Sequence, residues 1–272
     1  MPKNWKKAAV LLVSIGLLYV IGVFYIYIFI DHVIFSPRQH SKNYVYKINQ
    51  AYKVHHIIHP NQEYVEALWF THQTEEKKGA VLYLHGASES VEYWSRFVSA
   101  FTSKGFDVLM TDYRGFGKSP GKKSEFNLYQ DALTSYYYLE KLIPADSILV
   151  YGVGLGAVAA ANVGSQASPR MIIVENPMIS IRDWINSRYQ ALLIYSELKY
   201  DFKLADYLPQ CQSPVFLIYS ECNDQFQKDK VATVKNILPD PKNTFQIPCV
   251  AGEQITEHQQ YHSVLDQIFR NF

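Results

Sequence analysis

The stretch YGVGLGAVAA, residues 151–160, predicts a buried strand that turns sharply into a helix of small residues. Two glycine motifs fit such a turn. The dinucleotide-binding motif G-x-G-x-x-A matches Gly152, Gly154 and Ala157, and Glu175 closes the next apolar run, where a ribose-binding acid would fall. The nucleophile motif G-x-S-x-G matches equally well, with Gly154 in the place of the serine. The stretch alone leaves both interpretations open.

The overall composition excludes some classes of partner. The chain has 272 residues, a formal net charge of +1 and 19% charged residues, so nothing points to nucleic acid or to an acidic protein. Its three cysteines, at positions 211, 222 and 249, lack the spacing of a metal site. We therefore expect no nucleic-acid partner, no metal and no cofactor.

Residues 8–30 form an uncharged apolar run that predicts a transmembrane helix. As a helix this run extends about 35 Å, enough to cross a hydrocarbon core of about 30 Å. A cleaved signal peptide would have a shorter apolar region that ends in small residues, whereas this one ends in YIYIFI. Three lysines lie in the short basic N-terminus, residues 1–7. The positive-inside rule therefore predicts a signal anchor with a cytoplasmic N-terminus and an extracytoplasmic globular part.

The lead-in, residues 31–60, contains three histidines in the sequence VHHIIHP. Adjacent residues of a strand point to opposite faces, so His55 and His56 cannot chelate one metal ion together. We interpret these two, and His59, as polar positions of an edge strand.

Residues 61–272 alternate between apolar segments and helical segments, which predicts an α/β fold in one domain. The sheet is expected to be mostly parallel, with helices on both faces. A short cap is predicted at about 177–210. Strands are predicted at 63–72, 80–86, 106–115, 147–151, 171–175, 213–220 and 244–248, and helices at 91–105, 126–143, 155–166, 227–237 and from 258.

Four segments that follow predicted strands resemble segments of a known superfamily. They are LYLHGASES (82–90), TDYRGFGKSPG (111–121), VENPMISIRDW (174–184) and CQSPVFLIYSECND (211–224). In this order they resemble the α/β-hydrolases, and in particular their membrane-anchored, serine-aminopeptidase-like branch. A dinucleotide fold usually carries its glycine loop on the first strand of the sheet, whereas three hydrolase-like strands precede this one. The resemblance therefore favours the nucleophile turn and explains Glu175 as part of an E-S-P-like turn.

The resemblance implies a catalytic triad in the order serine, acid, histidine, and this chain departs from it at all three places. The nucleophile position is Gly154, the acid position is Asn223 and the histidine position is Glu253. A register shift would offer Asp224 as the acid, but the glycine turn contains no nucleophile. We interpret the chain as a hydrolase-like protein without catalytic activity. The alternatives are an active esterase, lipase or peptidase with an unconventional site, and a dinucleotide-binding protein.

The resemblance also implies a binding site that survives without the triad. The turn formed by His85, Gly86 and Ala87 resembles the one that supplies an oxyanion-hole amide, and Leu155 would supply the second amide. These amides and the positive end of the following helix would attract an anion. We therefore expect a small acyl or carboxylate ligand or a protein partner. The alternative is a pocket that side chains fill, which would bind nothing.

Two of the cysteines fall in the loops that normally bring the acid and the histidine together. Cys222 and Cys249 each follow a predicted strand, so a disulfide between them would brace the site in an oxidising compartment. The alternative is two unrelated thiols.

Overall fold

The computed structural model describes residues 5–60, 62–188, 199–220, 228–248 and 255–270. Its strands are β1 Ser36–Pro37, β2 Tyr52–Ile58, β3 Tyr64–Phe70, β4 Gly79–Leu84, β5 Ser88–Glu89, β6 Phe106–Thr111, β7 Ile148–Val153, β8 Met171–Glu175, β9 Val215–Ser220 and β10 Thr244–Ile247. Its α-helices are α1 Trp5–Ile34, α2 Val91–Trp94, α3 Ser99–Thr102, α4 Glu125–Glu140, α5 Leu155–Gln166, α6 Ile181–Arg188, α7 Lys228–Ile237 and α8 Gln259–Phe269.

Eight strands form one large sheet in the order β10-β9-β8-β7-β4-β6-β3-β2. Strands β4 and β6 to β10 run parallel, and β2 and β3 are antiparallel to their neighbours. All residues of β4 and β6 are buried, as expected for strands covered on both faces. The predicted α/β fold with a mostly parallel sheet is confirmed. In such a sheet the carboxyl ends of the parallel strands share one edge, and functional sites gather there.

Helices cover both faces of the sheet, but the predicted helix over 91–105 is wrong. The segment forms α2, a 3₁₀ turn at Ser95–Phe97 and α3. The Ser95 hydroxyl donates to the carbonyl of Glu92 at 2.8 Å in the 3₁₀ turn. By contrast, α5 has the predicted bounds, and it begins directly after the turn at Gly154.

Helix α1 contains the predicted apolar run and extends beyond it. Residues Trp5–Phe29 are a candidate membrane span with a mean hydropathy of 2.5 and no burial against the rest of the chain. The helix continues to Ile34, because Ile34 and the following Phe35 are buried against the domain. The apolar helix therefore ends on the domain surface without a loop between them.

Aromatic and polar contacts fix this junction. The Phe35 ring packs edge-on against the rings of Phe116, Tyr200 and Phe202 at centroid distances of 5.9–6.1 Å. Asp31 accepts hydrogen bonds from the Tyr200 hydroxyl at 2.6 Å and from the Lys199 ammonium at 2.9 Å. The end of α1 thus contacts residues of the predicted cap, Lys199, Tyr200 and Phe202.

The lead-in is part of the sheet, since β2 begins at Tyr52 and is an edge strand. His55 and His56 lie on it, as predicted. The prediction for His59 is wrong: it follows β2 and is buried, with Nε2 3.0 Å from the Asp131 carboxylate. The buried carboxylate supplies a partner inside the domain, so the imidazole does not need solvent. No group of three His, Cys, Asp or Glu side chains within the described ranges has the geometry of a metal site.

The predicted cap, 177–210, is described except for residues 189–198. Helix α6 buries Ile181 and Ile185, and Trp184 packs against the same core. Two 3₁₀ turns, Leu204–Asp206 and Leu208–Gln210, lead back to β9. In its described part the cap is therefore attached to the core by apolar packing.

Candidate active site

A sharp turn joins β7 to α5 at the carboxyl edge of the sheet. Gly154 occupies it with φ 57° and ψ −110°, in the left-handed region that favours glycine. Its amide donates to the carbonyl of Glu175 at 3.0 Å, and its carbonyl accepts from the amide of Met178 at 3.0 Å. The turn is thus held by residues at the end of β8 and just after it.

Close backbone packing requires glycine at positions 152 and 156 of this turn, but not at position 154. A Cβ on Gly152 would lie 2.3 Å from the carbonyl oxygen of Gly156, and one on Gly156 would lie 2.0 Å from that of Leu84. The backbones approach so closely that no side chain fits at either place. Among the residues that the structure describes, a Cβ on Gly154 would meet no atom within 4 Å. The described part of the fold therefore leaves open space at the position predicted for the nucleophile.

A second turn, from His85 to Ala87, follows β4, the neighbour of β7. The first turn of α5 packs on it, since Gly156 contacts the carbonyls of Leu84 and His85. The Ala87 carbonyl accepts from the amide of Ser36 at 2.9 Å. Within the described ranges, the amides of Ala87 and Leu155 donate to no other residue. The turns that carry the two predicted oxyanion amides are therefore neighbours, and convergence of these amides on an anion remains a prediction.

Comparison with known proteins identifies the family. The model of the serine aminopeptidase family, S33, matches residues 75–260, more than half of the chain. The chain belongs to this family of α/β-hydrolases. Family membership favours the nucleophile turn over the dinucleotide loop for residues 152–157.

Similar proteins include lipases and esterases. Lysophosphatidylserine lipase ABHD12 of Danio rerio is 28% identical over 125 residues, which cover 43% of this chain and 33% of the lipase. An uncharacterised protein of Mycobacterium tuberculosis is 25% identical over 74% of this chain and 72% of its own length. The solved structure of the Pyrococcus furiosus esterase Pf2001 aligns with a TM-score of 0.67 at 20% identity, over 87% of this chain and 99% of the esterase. The esterase supports the fold, and the chain spans only about a third of the lipase.

Within this hydrolase fold, the His85 side chain lies beneath its turn rather than in an open site. It is fully buried and stacks on Trp94, with Nε2 3.3 Å from a carboxylate oxygen of Asp112. Asp112 also accepts from the amide of Val91 at 2.9 Å. Burial raises the pKa of this carboxyl, and the nearby His85 imidazole opposes the rise. His85 thus supports the turn from below, and its side chain is not open to a ligand.

Glu175 lies behind the turn of residues 152–156, called the hydrolase turn below. Its side chain is only 3% exposed. Its carboxylate accepts a hydrogen bond from the Tyr151 hydroxyl, which also lies 2.7 Å from the Tyr261 hydroxyl on α8. Burial raises the pKa of Glu175 to about 8, against the lowering effect of Tyr261. A carboxyl enclosed in this way is closed to a ribose. The sequence analysis did not predict this hydrogen-bond network of Glu175, Tyr151 and Tyr261. A glutamate at the end of the apolar run MIIVE does indicate a buried carboxyl that needs hydrogen-bond partners.

The remaining predicted positions lie outside the described residues. These are the acid and histidine positions, Asn223 and Glu253, and the proposed disulfide pair, Cys222 and Cys249. The third cysteine, Cys211, is buried, and burial raises the pKa of its thiol to about 12. It is therefore a packing residue and not a nucleophile.

Proposed function

We propose that this hydrolase-family protein is membrane-anchored and binds an acyl or carboxylate group at the turn of Gly154 without hydrolysing it through a serine nucleophile. The observation that carries the proposal is the open space at Gly154, where the turn has its sharp geometry but no side chain. Glycine has no atom that can attack a carbonyl. Loss of the nucleophile in a serine hydrolase lowers kcat by about a millionfold.

Binding does not require the missing nucleophile. The amide of Leu155 begins α5, a helix of 12 residues, and its positive end attracts negative charge. The neighbouring turn offers the amide of Ala87. A carboxylate, or the carbonyl of an ester, is the chemistry that such paired amides accept.

The position of α1 supports an amphiphilic ligand with an acyl chain. The chain leaves α1 at Ile34, and Ser36 then bonds to the carbonyl of Ala87 in the second turn. Ser36 lies two residues after the end of α1, so the proposed site adjoins the end of the apolar helix. A relative named as a lysophosphatidylserine lipase agrees with this class of ligand.

We further propose the orientation with a cytoplasmic N-terminus and the domain on the other side, because lysines precede the apolar run. In an oxidising compartment Cys222 and Cys249 would form the disulfide. Protease protection in sealed membranes tests the orientation, and peptide mapping without reductant tests the disulfide.

A second candidate is an active ester hydrolase whose nucleophile lies elsewhere. Relatives named as a lipase and an esterase favour it. One experiment on the purified full chain distinguishes the two candidates: labelling of an active serine by a fluorophosphonate probe, and hydrolysis of p-nitrophenyl esters. The binding proposal predicts no labelling and only background hydrolysis. Hydrolysis that survives Gly154→Ala would overturn the binding proposal in favour of this candidate.

Binding itself is tested by titration with a fluorescent fatty acid. Ala87→Pro removes one of the proposed amide donors and is expected to weaken binding about tenfold, as for one hydrogen bond to a charged group. Ala87→Ser keeps the amide and serves as the matched control. Equal affinity of both variants and the wild type would place the ligand elsewhere.

A further inference from the structure

The start of α4 is linked to the end of α1 by a short series of contacts. Asp31, two residues beyond the candidate span, binds Lys199 and Tyr200. The backbone amides of Asp201 and Phe202 donate to the carboxylate of Glu125, the first residue of α4, at 2.7 Å each. The amino end of α4 therefore lies close to the point where α1 would leave the bilayer.

An exposed aromatic side chain and two lysines lie at this end of α4. Phe126 is 70% exposed, although the helix has a buried apolar face of its own. Lys122 and Lys123 precede it, and neither forms an ion pair within the described ranges. Burial raises the pKa of the Asp31 carboxyl, but hydrogen bonds from Tyr200 and Lys199 outweigh it, and the charge of Lys123 adds a smaller lowering effect. An exposed phenylalanine preceded by two lysines without ion pairs presents an apolar ring and positive charge, the two kinds of group that bind an anionic membrane surface.

A single exposed apolar side chain is ordinary on a protein surface. The location of Phe126 is what distinguishes it. Leu142, just beyond the other end of α4, is 55% exposed but lies about 24 Å farther along the helix axis. Leu142 takes no part in the contacts of Asp31 with Lys199 and Tyr200. It therefore serves as a control position away from the end of α1.

We propose that Phe126, Lys122 and Lys123 form a second membrane contact, which binds anionic lipid headgroups beside α1. The inference rests on the membrane-anchored part of the proposed function. The aromatic ring enters the headgroup region, and the two ammonium groups meet lipid phosphates. With α1 as the first contact, this second one fixes the tilt of the domain.

The test uses the full chain in lipid nanodiscs that contain phosphatidylserine and a lipid with a nitroxide near the top of its acyl chain. Phe126→Trp and Leu142→Trp each add one fluorophore, and subtraction of the wild-type spectrum removes the four native tryptophans. We expect the nitroxide to quench most of the fluorescence added by Phe126→Trp and little of that added by Leu142→Trp. Aqueous iodide should give the reverse order. Equal quenching of both variants by iodide, with none by the nitroxide, would overturn the proposal.

The charged part is tested in the Phe126→Trp background. Lys122→Gln with Lys123→Gln is expected to reduce nitroxide quenching at least twofold, whereas Lys141→Gln, an exposed lysine at the far end of α4, leaves it unchanged. No difference between these variants would remove the lysines from the contact. Failure of the anchor itself is recognised separately, since alkaline carbonate would then extract the wild-type protein from membranes. Ligand binding is measured independently of both.

Discussion

Two turns at the same edge of the sheet use glycine for different reasons. In the loop between β6 and α4, Gly115, Gly117 and Gly121 have positive φ angles, and an added Cβ on any of them would crowd a neighbouring side chain. The closest approach is at Gly117, where the Cβ would lie 1.8 Å from a carboxylate oxygen of Asp112. Gly154 also has a positive φ, but a Cβ there would meet no atom of the described residues within 4 Å. Crowding thus adds to the backbone angle at the three loop glycines, whereas at Gly154 only the backbone angle favours glycine.

The largest loss of stability should come from adding a side chain at Gly117, in the crowded loop between β6 and α4. Gly117→Ala would displace the Asp112 carboxylate, which holds the amide of Val91. We expect the free energy of unfolding to fall by about 3–5 kcal/mol, from overpacking and a broken buried hydrogen bond. Gly154→Ala, its matched control, should cost about 1–2 kcal/mol for the left-handed conformation. Thermal unfolding in detergent measures both, and equal losses would contradict the comparison.

The next effect concerns the carboxyl behind the hydrolase turn. The pKa of Glu175 is raised from 4.5 to about 8, so its neutral form is favoured by folding. Its contribution to stability is fully present below about pH 4.5 and is lost as the pH rises towards about 8, because the unfolded chain ionises first. Glu175→Gln should abolish this loss and gain on the order of 2–4 kcal/mol at about pH 8 relative to about pH 5.

Chemical unfolding at both pH values measures this gain. Glu75→Gln, at an exposed position, should leave the pH dependence unchanged. A Glu175→Gln variant that loses stability with pH as the wild type does would show that Glu175 is ionised in the fold.

A smaller effect should come from the polar support of the crowded loop. Arg114 donates from Nε to Asp131 at 2.7 Å and from Nη1 to Glu63 at 2.9 Å. Lysine cannot make both contacts, because its ammonium is a single point. We expect Arg114→Lys to lower the free energy of unfolding by about 2 kcal/mol, as for lost hydrogen bonds to buried charge. Lys141→Arg, at an exposed position, should have no effect in the same denaturation experiment.

The smallest effect should come from restoring the serine alone. Gly154→Ser fits the open space, yet we expect ester hydrolysis to remain at background, since triad residues act as a unit and we predict Asn223 and Glu253 for the other two places. The triple variant Gly154→Ser, Asn223→Asp, Glu253→His is expected to recover measurable hydrolysis. Activity in the single variant would mean that a base is already present near the turn.

The fold was predictable where local patterns and packing agree. Buried parallel strands are continuous apolar runs, and the start of α5 follows from the glycine before it. The segment 91–105 is divided into α2, a 3₁₀ turn and α3, an interruption that its apolar periodicity does not show. His59 failed because its partner, Asp131, is distant in sequence. At the candidate site, motifs indicated the glycine turn, but the crowding that separates Gly154 from its neighbours is visible only in three dimensions.

The continuous course of α1 has a mechanical consequence. The helix runs unbroken from Trp5 to Ile34, and its last residue and Phe35 are clamped in the domain, so there is no swivel between them. If α1 spans a membrane, as proposed, rotation of the helix about its own axis would rotate the domain by the same angle. A second transmembrane helix packed against α1 would then determine the direction in which the turn of Gly154 faces around the membrane normal.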